Sequence, residues 1–355
     1  MRIDALKKRL MREDLLPFLV LDLVNIRYLT GFGGSSAWLL MTRERDYFIS
    51  DSRYEEYARS IMPPGMEFVL MKGSADRTVA KILKRKRPDR LFVEDHSFTL
   101  SQASLLRKKI SPASLCEGGS PINQMRIEKE PEEIEVIRMA VDLADRCFSH
   151  ILSIIRPGLT EWDISVEIEY FYRKNGCRKT SFDSIVASGP GSSMPHYITS
   201  MTRRIQKGDT LLIDMGCEFR GYNSDLTRTI FVNSIDDDLR RIYGIVRSAQ
   251  ERAIEYVRSG IRCGDLDAVA RGVIGEAGFS AFFGHSLGHG VGMEVHELPV
   301  IKSGARSRLK KNTVITVEPG IYMPGRGGVR IEDVVLVTDG GSEILTKSSK
   351  DIHIV

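Results

Sequence analysis

The stretch Thr210–Val232, TLLIDMGCEFRGYNSDLTRTIFV, reads as two apolar, strand-like runs joined by a tight turn near Arg220-Gly221. Each run carries an acid in an otherwise apolar setting: Asp214 in TLLIDMG and Asp225 in NSDLTRTIFV. A second stretch, Val314–Val337, repeats the plan. Its sequence VITVEPGIYMPGRGGVRIEDVVLV sets Glu318 and Glu332 at equal distances from Gly325, in the turn MPGRGG. Burying an ionised carboxylate without a partner costs several kcal/mol or forces it to protonate. Residues opposed across antiparallel strands share a face with Cβ atoms ~5 Å apart. The hairpins therefore predict Asp214 near-opposite Asp225 and Glu318 near-opposite Glu332. Like charges that close repel, and a bridging dication reverses the sign.

Between the two hairpins, three of the seven histidines fall in HSLGHGVGMEVHELP: His285, His289 and His296. Glycines at 284, 288, 290 and 292 argue against a helix there and for a tight loop or edge strand delivering imidazoles into a cleft. One histidine alone is more often a packing residue. Three around a Gly-x-Gly turn, beside four inward acids, point to ligand and acid/base roles. His196, in SSMPHYITS, carries less weight alone, and His96, His150 and His353 have no supporting context. Four acids and an imidazole form an oxygen-rich donor set that suits Mn²⁺, Co²⁺ or Zn²⁺, with Mn²⁺ preferred on ligand type. Two such ions roughly 3.5–4 Å apart hold a bridging hydroxide as nucleophile and polarise a carbonyl. Hydrolysis is the natural reaction.

The two hairpins belong to a longer internal repeat. IRPGLTEWDISVEIEYFYRKNG from Ile155 aligns with VRSGIRCGDLDAVARGVIGEAG from Val257, an offset of 102. Arg156 falls on Arg258, Gly158 on Gly260, Asp163 on Asp265 and Gly176 on Gly278, with His196 close to His296. The repeat predicts a pseudo-symmetric domain with its site between similar halves. Upstream, residues 1 to about 118 alternate helix and strand: LKKRLMRED and RYEEYARSIM as helices, PFLVLDLVN, AWLLMT and RLFVEDH as strands. Glu117-Gly118-Gly119-Ser120-Pro121 is the linker candidate, and Glu130-Pro131-Glu132-Glu133 opens a long helix with acids in its first turn.

At 355 residues, with 42% hydrophobic and 28% charged residues, the chain is an ordinary globular one of about two domains. A net charge of +4 does not single out acidic partners. Five widely spaced cysteines without a CxxC argue against a disulfide framework or a thiolate zinc site and for a reducing, cytoplasmic setting. MRIDALKKRLMRED lacks the apolar run of a signal peptide, and no segment has the length and apolarity to span a membrane. The basic runs Lys84–Arg87, Arg107–Lys109 and Lys310-Lys311 lack aromatic interleaving, so solvated surface is expected and nucleic acid is not.

The motifs DMGxxxxGYxSDLTRT, HSLGHGVGxxxHE, VEPGIY and GGVRIED resemble those of the pita-bread metallopeptidases, from about Met125 to the C-terminus. NIRYLTGF and DSRY resemble the creatinase-type N-terminal domain of the Xaa-Pro branch, prolidase and aminopeptidase P. The resemblance implies an α+β chain. Residues 1–120 form a smaller α/β domain, and residues 121–355 form a pita-bread catalytic domain with helices on one face of a curved, mostly antiparallel, pseudo-twofold sheet. It implies a homodimer, whose N-terminal domain narrows access to the site. The implied reaction is dinuclear, metal-dependent hydrolysis of a Xaa-Pro peptide, as dipeptidase or aminopeptidase. Carried over, Asp214 chelates one metal, Asp225 and Glu332 bridge both, and His289 and Glu318 complete the coordination of the second metal. Glu318 also shuttles the proton, His296 hydrogen-bonds the tetrahedral intermediate, and His196 and His285 line the substrate pocket. Arg330 matches the family's substrate-side arginine.

Cys217, Met293 and SSMPHY depart from the family's commonest pattern without removing a ligand. A catalytically inactive scaffold binding protein or nucleic acid is one alternative, but such relatives typically lose metal ligands. Methionine aminopeptidase is another, but those enzymes generally lack the N-terminal domain. The X–Pro nitrogen has no hydrogen and its ring is fixed, so a site that polarises the carbonyl and protonates nitrogen late suits that bond.

Overall fold

The computed structural model describes residues 2–355, which divide into one compact unit ending at Met125 and a second spanning Arg126–Val355. The first unit holds a six-stranded mixed sheet. Its strands run in the order Met66–Leu70, Asp46–Ser50, Trp38–Met41, Phe18–Val20, Arg90–Val93, Ser114–Glu117. Trp38–Met41 is antiparallel to both of its neighbours, and the outer pairs are parallel. Helices Arg2–Arg12, Ala75–Lys86 and Leu100–Ile110 bury apolar faces. The run PFLVLDLVN is strand only over Phe18–Val20. Asp22 accepts hydrogen bonds from the backbone N–H of Val24 and Asn25 and starts the helix Leu23–Thr30, so capping overrides the apolar run.

The second unit repeats one plan twice. Helices Pro131–Ile154 and Glu161–Lys174 precede the antiparallel strands Ile185–Ser188, Thr210–Met215 and Leu226–Phe231. Helices Asp237–Tyr256 and Cys263–Glu276 precede Gly288–Gly290, Val314–Val317 and Asp333–Val337. Pro131 and a Glu130–Glu133 capping box open the first helix. The repeat survives in the contacts, with the glycines 102 residues apart and their partners 104. Gly158 donates to the carbonyl of Ile205 and Gly260 to that of Leu309, at 2.9 and 2.8 Å. Arg204 then hydrogen-bonds the Gly158 carbonyl, as Arg308 does that of Gly260. Gly158 and Gly260 both have positive φ, 96° and 89°, which glycine adopts without the Cβ penalty.

Strand alternation divides the sheet into a helix face and a site face. Leu211, Ile213, Met215, Leu226 and Ile230 pack with Phe148, Ile164 and Tyr172 of the first helix pair. Ile315, Val317, Val335 and Val337 pack with Val246, Ala249, Leu266 and Ile274 of the second. Asp214, Thr227, Thr316 and Glu332 lie at the alternate positions, away from the helices.

Candidate functional site

Register decides how the acids meet. Thr227 pairs with Asp214 and Leu226 with Met215, while Glu218–Asn223 and Phe219–Tyr222 continue the same count to the turn. That turn is Arg220-Gly221, both residues at positive φ, 50° and 93°. Asp225 is therefore opposite Gly216, two residues along from Asp214. The pair is diagonal on one face rather than directly opposed. In the second hairpin Val317 pairs with Asp333 and Gly320 with Arg330, so Glu318 and Glu332 fall opposite each other.

Of the histidine stretch only Gly288–Gly290 is strand, and that strand is interior rather than an edge; His285 and His296 lie in irregular segments on either side of it. Gly288–Gly290 lies between Glu297–Ile301 and Val314–Val317. Space explains its glycines: a Cβ on Gly288 would come 2.1 Å from the Thr316 carbonyl oxygen, and one on Gly290 2.2 Å from that of Leu298. A register shift at His289/Gly290 aims the imidazole at the acids. Ligand atoms of Asp225, His289 and Glu332 all lie within 4.8 Å of one another. His289 Nε2 is 3.2 Å from Glu318 Oε1 and 3.7 Å from Asp225 Oδ2. Its Nδ1 is 3.1 Å from the Gly290 carbonyl oxygen, which holds the ring with Nε2 towards the acids.

Asp214 and Arg330 form a pair, Oδ2 to Nη2 at 2.6 Å, while Asp214 Oδ1 is buried and has no hydrogen-bond partner among the described residues. Arg330, which the resemblance puts on the substrate side, is buried and donates to Thr227 Oγ1, Tyr322 Oη, the Pro195 carbonyl and Asp214. Glycines make room for this: Tyr322 and Arg330 lie across from Gly328 and Gly320, and a Cβ on Gly320 would come 2.5 Å from the Tyr322 hydroxyl.

His285 stands behind this group, Nε2 2.9 Å from Tyr322 Oη and Nδ1 2.8 Å from the Ser286 carbonyl oxygen. The rings of His289 and His296 meet edge to face, centroids 4.3 Å apart. His196 is exposed, on a segment that alternates in and out: Pro195, Tyr197 and Thr199 bond inward, while Met194, His196 and Ile198 face solvent. Glu161 anchors that segment, accepting from the Tyr197 hydroxyl and the Ser200 N–H.

Three side chains escaped the sequence reading. Thr227 Oγ1 donates to Glu332 Oε2 at 2.7 Å and accepts from Arg330 Nε at 3.0 Å. Thr316 Oγ1 donates to Glu318 Oε1 and accepts from the His289 N–H, each at 3.1 Å. Tyr322 links His285 to Arg330. Position held the signal: Thr227 is two residues from Asp225 and Thr316 two from Glu318, hence on the same faces.

Electrostatics sets these acids apart from ordinary ones. Burial, reinforced by Glu332, Asp214 and Glu318, pushes the Asp225 carboxyl well above the usual range. Burial and the charges of Glu318 and Asp214 do the same to Glu332. Burial also raises Asp214, against the pull of Arg330. Glu318 differs: burial would raise it, but the His289 hydrogen bond and charge hold it below its ordinary value. Burial pushes His285 and His296 down, and the neighbouring His289 adds to the effect on His296. Arg330 and His289 cannot balance four carboxylates. The converging oxygens, the oriented imidazole and the orphaned Asp214 Oδ1 fit a hard divalent cation.

A pair of carboxylate hairpins following an α/β unit in the chain is a pattern with solved relatives. Residues 135–339 match the profile of metallopeptidase family M24, and residues 2–127 match the creatinase/prolidase N-terminal domain. The chain is 39% identical over 296 residues to a Xaa-Pro dipeptidase of Pyrococcus furiosus, covering 81% of this chain and 84% of that one. The structure of a Xaa-Pro dipeptidase from Bacillus anthracis superimposes with TM-score 0.92 and 39% identity, covering 95% of this chain and 94% of that one. An X-Pro aminopeptidase from Thermotoga maritima gives TM-score 0.87 and 35% identity, covering 95% and 97%. Creatinase-type first unit, pseudo-twofold pita-bread second unit and acid-lined site thus fall together, and the chain belongs to metallopeptidase family M24.

Proposed function

We propose that this chain hydrolyses the peptide bond between an N-terminal residue and proline, using two divalent cations. Asp214, Asp225, His289, Glu318 and Glu332 are the ligands put forward, with Mn²⁺ favoured because four of the five donate oxygen. The observation that carries this is the convergence of Asp225, His289 and Glu332 within 4.8 Å beside the unpartnered Asp214 Oδ1. The relatives named Xaa-Pro dipeptidase and X-Pro aminopeptidase support the substrate class. Bound there, the cations supply Lewis acidity and a water acidic enough to attack at neutral pH.

The chain's own residues do the rest. Glu318, kept ionised beside His289 and steadied by Thr316, is the proton carrier to the leaving nitrogen. His296, held neutral by burial and its neighbour His289, donates a hydrogen bond to the carbonyl oxygen as charge develops. His285 and the exposed His196 line the substrate side. Arg330 holds Asp214 in place and, by the resemblance, stands on the substrate side. A homodimer is put forward from the family resemblance, and sedimentation velocity would test it.

The test is release of proline from a Xaa-Pro dipeptide and of the first residue from a Xaa-Pro-Xaa tripeptide, after EDTA stripping and Mn²⁺ reloading. Activity should vanish on stripping, return on loading, and fall at least a hundredfold in Glu318→Gln. A Glu318→Gln protein that keeps wild-type activity sinks the proton-carrier role. Loaded protein inert on both peptides sinks the substrate class. Which peptide is cleaved decides between dipeptidase and aminopeptidase.

A further inference from the structure

The largest fully buried side chain among the described residues is an arginine that the proposed reaction does not use, Arg228. It follows Thr227 in the strand and therefore points to the helix face, behind the acids. A guanidinium has five N–H donors, and each of the five finds an acceptor here. Nε donates to the Ser349 carbonyl at 3.0 Å. Nη1 donates to the carbonyls of Thr227 and Glu332. Nη2 donates to Asp333 Oδ1 at 2.8 Å and to the Ser348 carbonyl at 2.7 Å. Asp333 is itself buried, and its other oxygen accepts from Gln250 Nε2 at 2.8 Å and Lys350 Nζ at 3.0 Å.

Two of these acceptors matter most. The Thr227 carbonyl belongs to the first hairpin, two residues from Asp225, and the Glu332 carbonyl belongs to the second. One planar guanidinium thus spans the seam between the halves directly behind the acids. On the same seam the Glu332 N–H donates to the Thr227 carbonyl at 3.2 Å and Thr227 Oγ1 reaches the Glu332 carboxylate. A single Nη1 cannot hold both carbonyls unless the two strands keep one spacing.

We propose that Arg228, locked by Asp333, is a positioning residue that sets the distance between the two carboxylate hairpins and so tunes cation affinity. The proposal rests on the metal reading above. Lysine is no substitute. Its ammonium neutralises Asp333 but lacks the planar fork that reaches both carbonyls. Replacing Arg228 and Asp333 together avoids stranding either buried charge, while Lys350 and Gln250 lose their Asp333 acceptor, a folding cost that the urea titration reads separately.

The experiment compares wild type, Arg228→Lys and the double variant Arg228→Met/Asp333→Leu, each EDTA-stripped. Mn²⁺ is titrated calorimetrically, and circular dichroism with urea unfolding reports the fold. The expected result is a cooperatively unfolding variant with native circular dichroism whose Mn²⁺ affinity has dropped tenfold or more. A purely structural arginine would move the urea midpoint and leave Mn²⁺ affinity alone. A folded variant with wild-type Mn²⁺ affinity overturns the proposal. Should neither Arg228 variant fold, Asp333→Asn decides the question in the same titration, on the same criterion. Wild-type protein that takes up no Mn²⁺ overturns the metal reading itself, a different failure from wild-type-like variants.

Discussion

Replacing Thr227 by valine preserves volume and β-branching and removes only the hydroxyl. Two hydrogen bonds go with it, the 2.7 Å bond to Glu332 Oε2 and the 3.0 Å bond from Arg330 Nε. Both partners are buried. Leaving the guanidinium N–H without an acceptor costs about 1–3 kcal/mol, and the lost bond to the Glu332 carboxyl adds about 1 kcal/mol. The sum, about 2–4 kcal/mol, translates to a fall in Tm of about 4–16 °C for a unit of this size. Thr227→Ser makes the opposite exchange, keeping the hydroxyl and deleting a methyl worth about 1 kcal/mol. Differential scanning calorimetry of metal-free protein should therefore order the series wild type, Ser, Val, from most to least stable. Thr227→Val melting within about 2 °C of wild type, or Ser falling below Val, would refute the view that the hydroxyl joins the two hairpins.

Much of this site could be read from the chain because its acids break an apolar pattern. Asp214, Asp225, Glu318 and Glu332 stand in runs whose other members pack on helices, and an offset of 102 residues links the glycines that close each helix pair. What could not be read depended on register and on backbone proximity. Asp225 is diagonal to Asp214 because the turn at Arg220-Gly221 pairs Asp214 with Thr227, and a shift of two keeps the face but changes the partner. The glycines of GHGVG suggest a loop or an edge strand. Gly288 and Gly290 instead sit in an interior strand, where neighbouring carbonyls leave no space for a Cβ. The pairing of Arg330 with Asp214 was equally hidden, since nothing in its own hairpin announces Asp214 on the other one. Thr227, Thr316 and Tyr322 are ordinary strand residues until their partners are known.

Three further outcomes are expected. The buried Glu297 carboxyl, which burial alone would raise, is held below its ordinary value by Lys129 and Arg126, with bonds of 2.6 Å to each. A depressed carboxyl adds stability above its unfolded pKa of about 4.3 and loses it as pH falls through the lower folded value. The urea-unfolding gap between wild type and Glu297→Gln should be full at pH 6–7, near those conditions about constant, and close progressively below about pH 4; a pH-independent gap counts against the ion pair as its source. Gly290→Ala, whose Cβ would meet the Leu298 carbonyl oxygen at 2.2 Å, should fail to accumulate as folded protein or lose several kcal/mol. Gly272→Ala, on the exposed side of helix Cys263–Glu276 with nothing within 4 Å, should gain about 0.4–1 kcal/mol in the same urea titration. Equal behaviour of the two would show that space is not what the strand glycine supplies.

The glycine contacts also bear on where such an enzyme can change. At Gly288, Gly290, Gly320 and Gly328 an added Cβ would land between 2.1 and 2.5 Å from a neighbouring atom. At these four positions the floor of the site therefore rests on main-chain and ring atoms already in contact, where no side chain can be added by degrees. The segment bearing His196 is built the other way. Its inward residues are tethered, while Met194 and Ile198 are 50% and 88% exposed and touch little that would resist replacement. Drift in what this chain accepts should gather on that rim, in steps that leave the chemistry beneath it untouched.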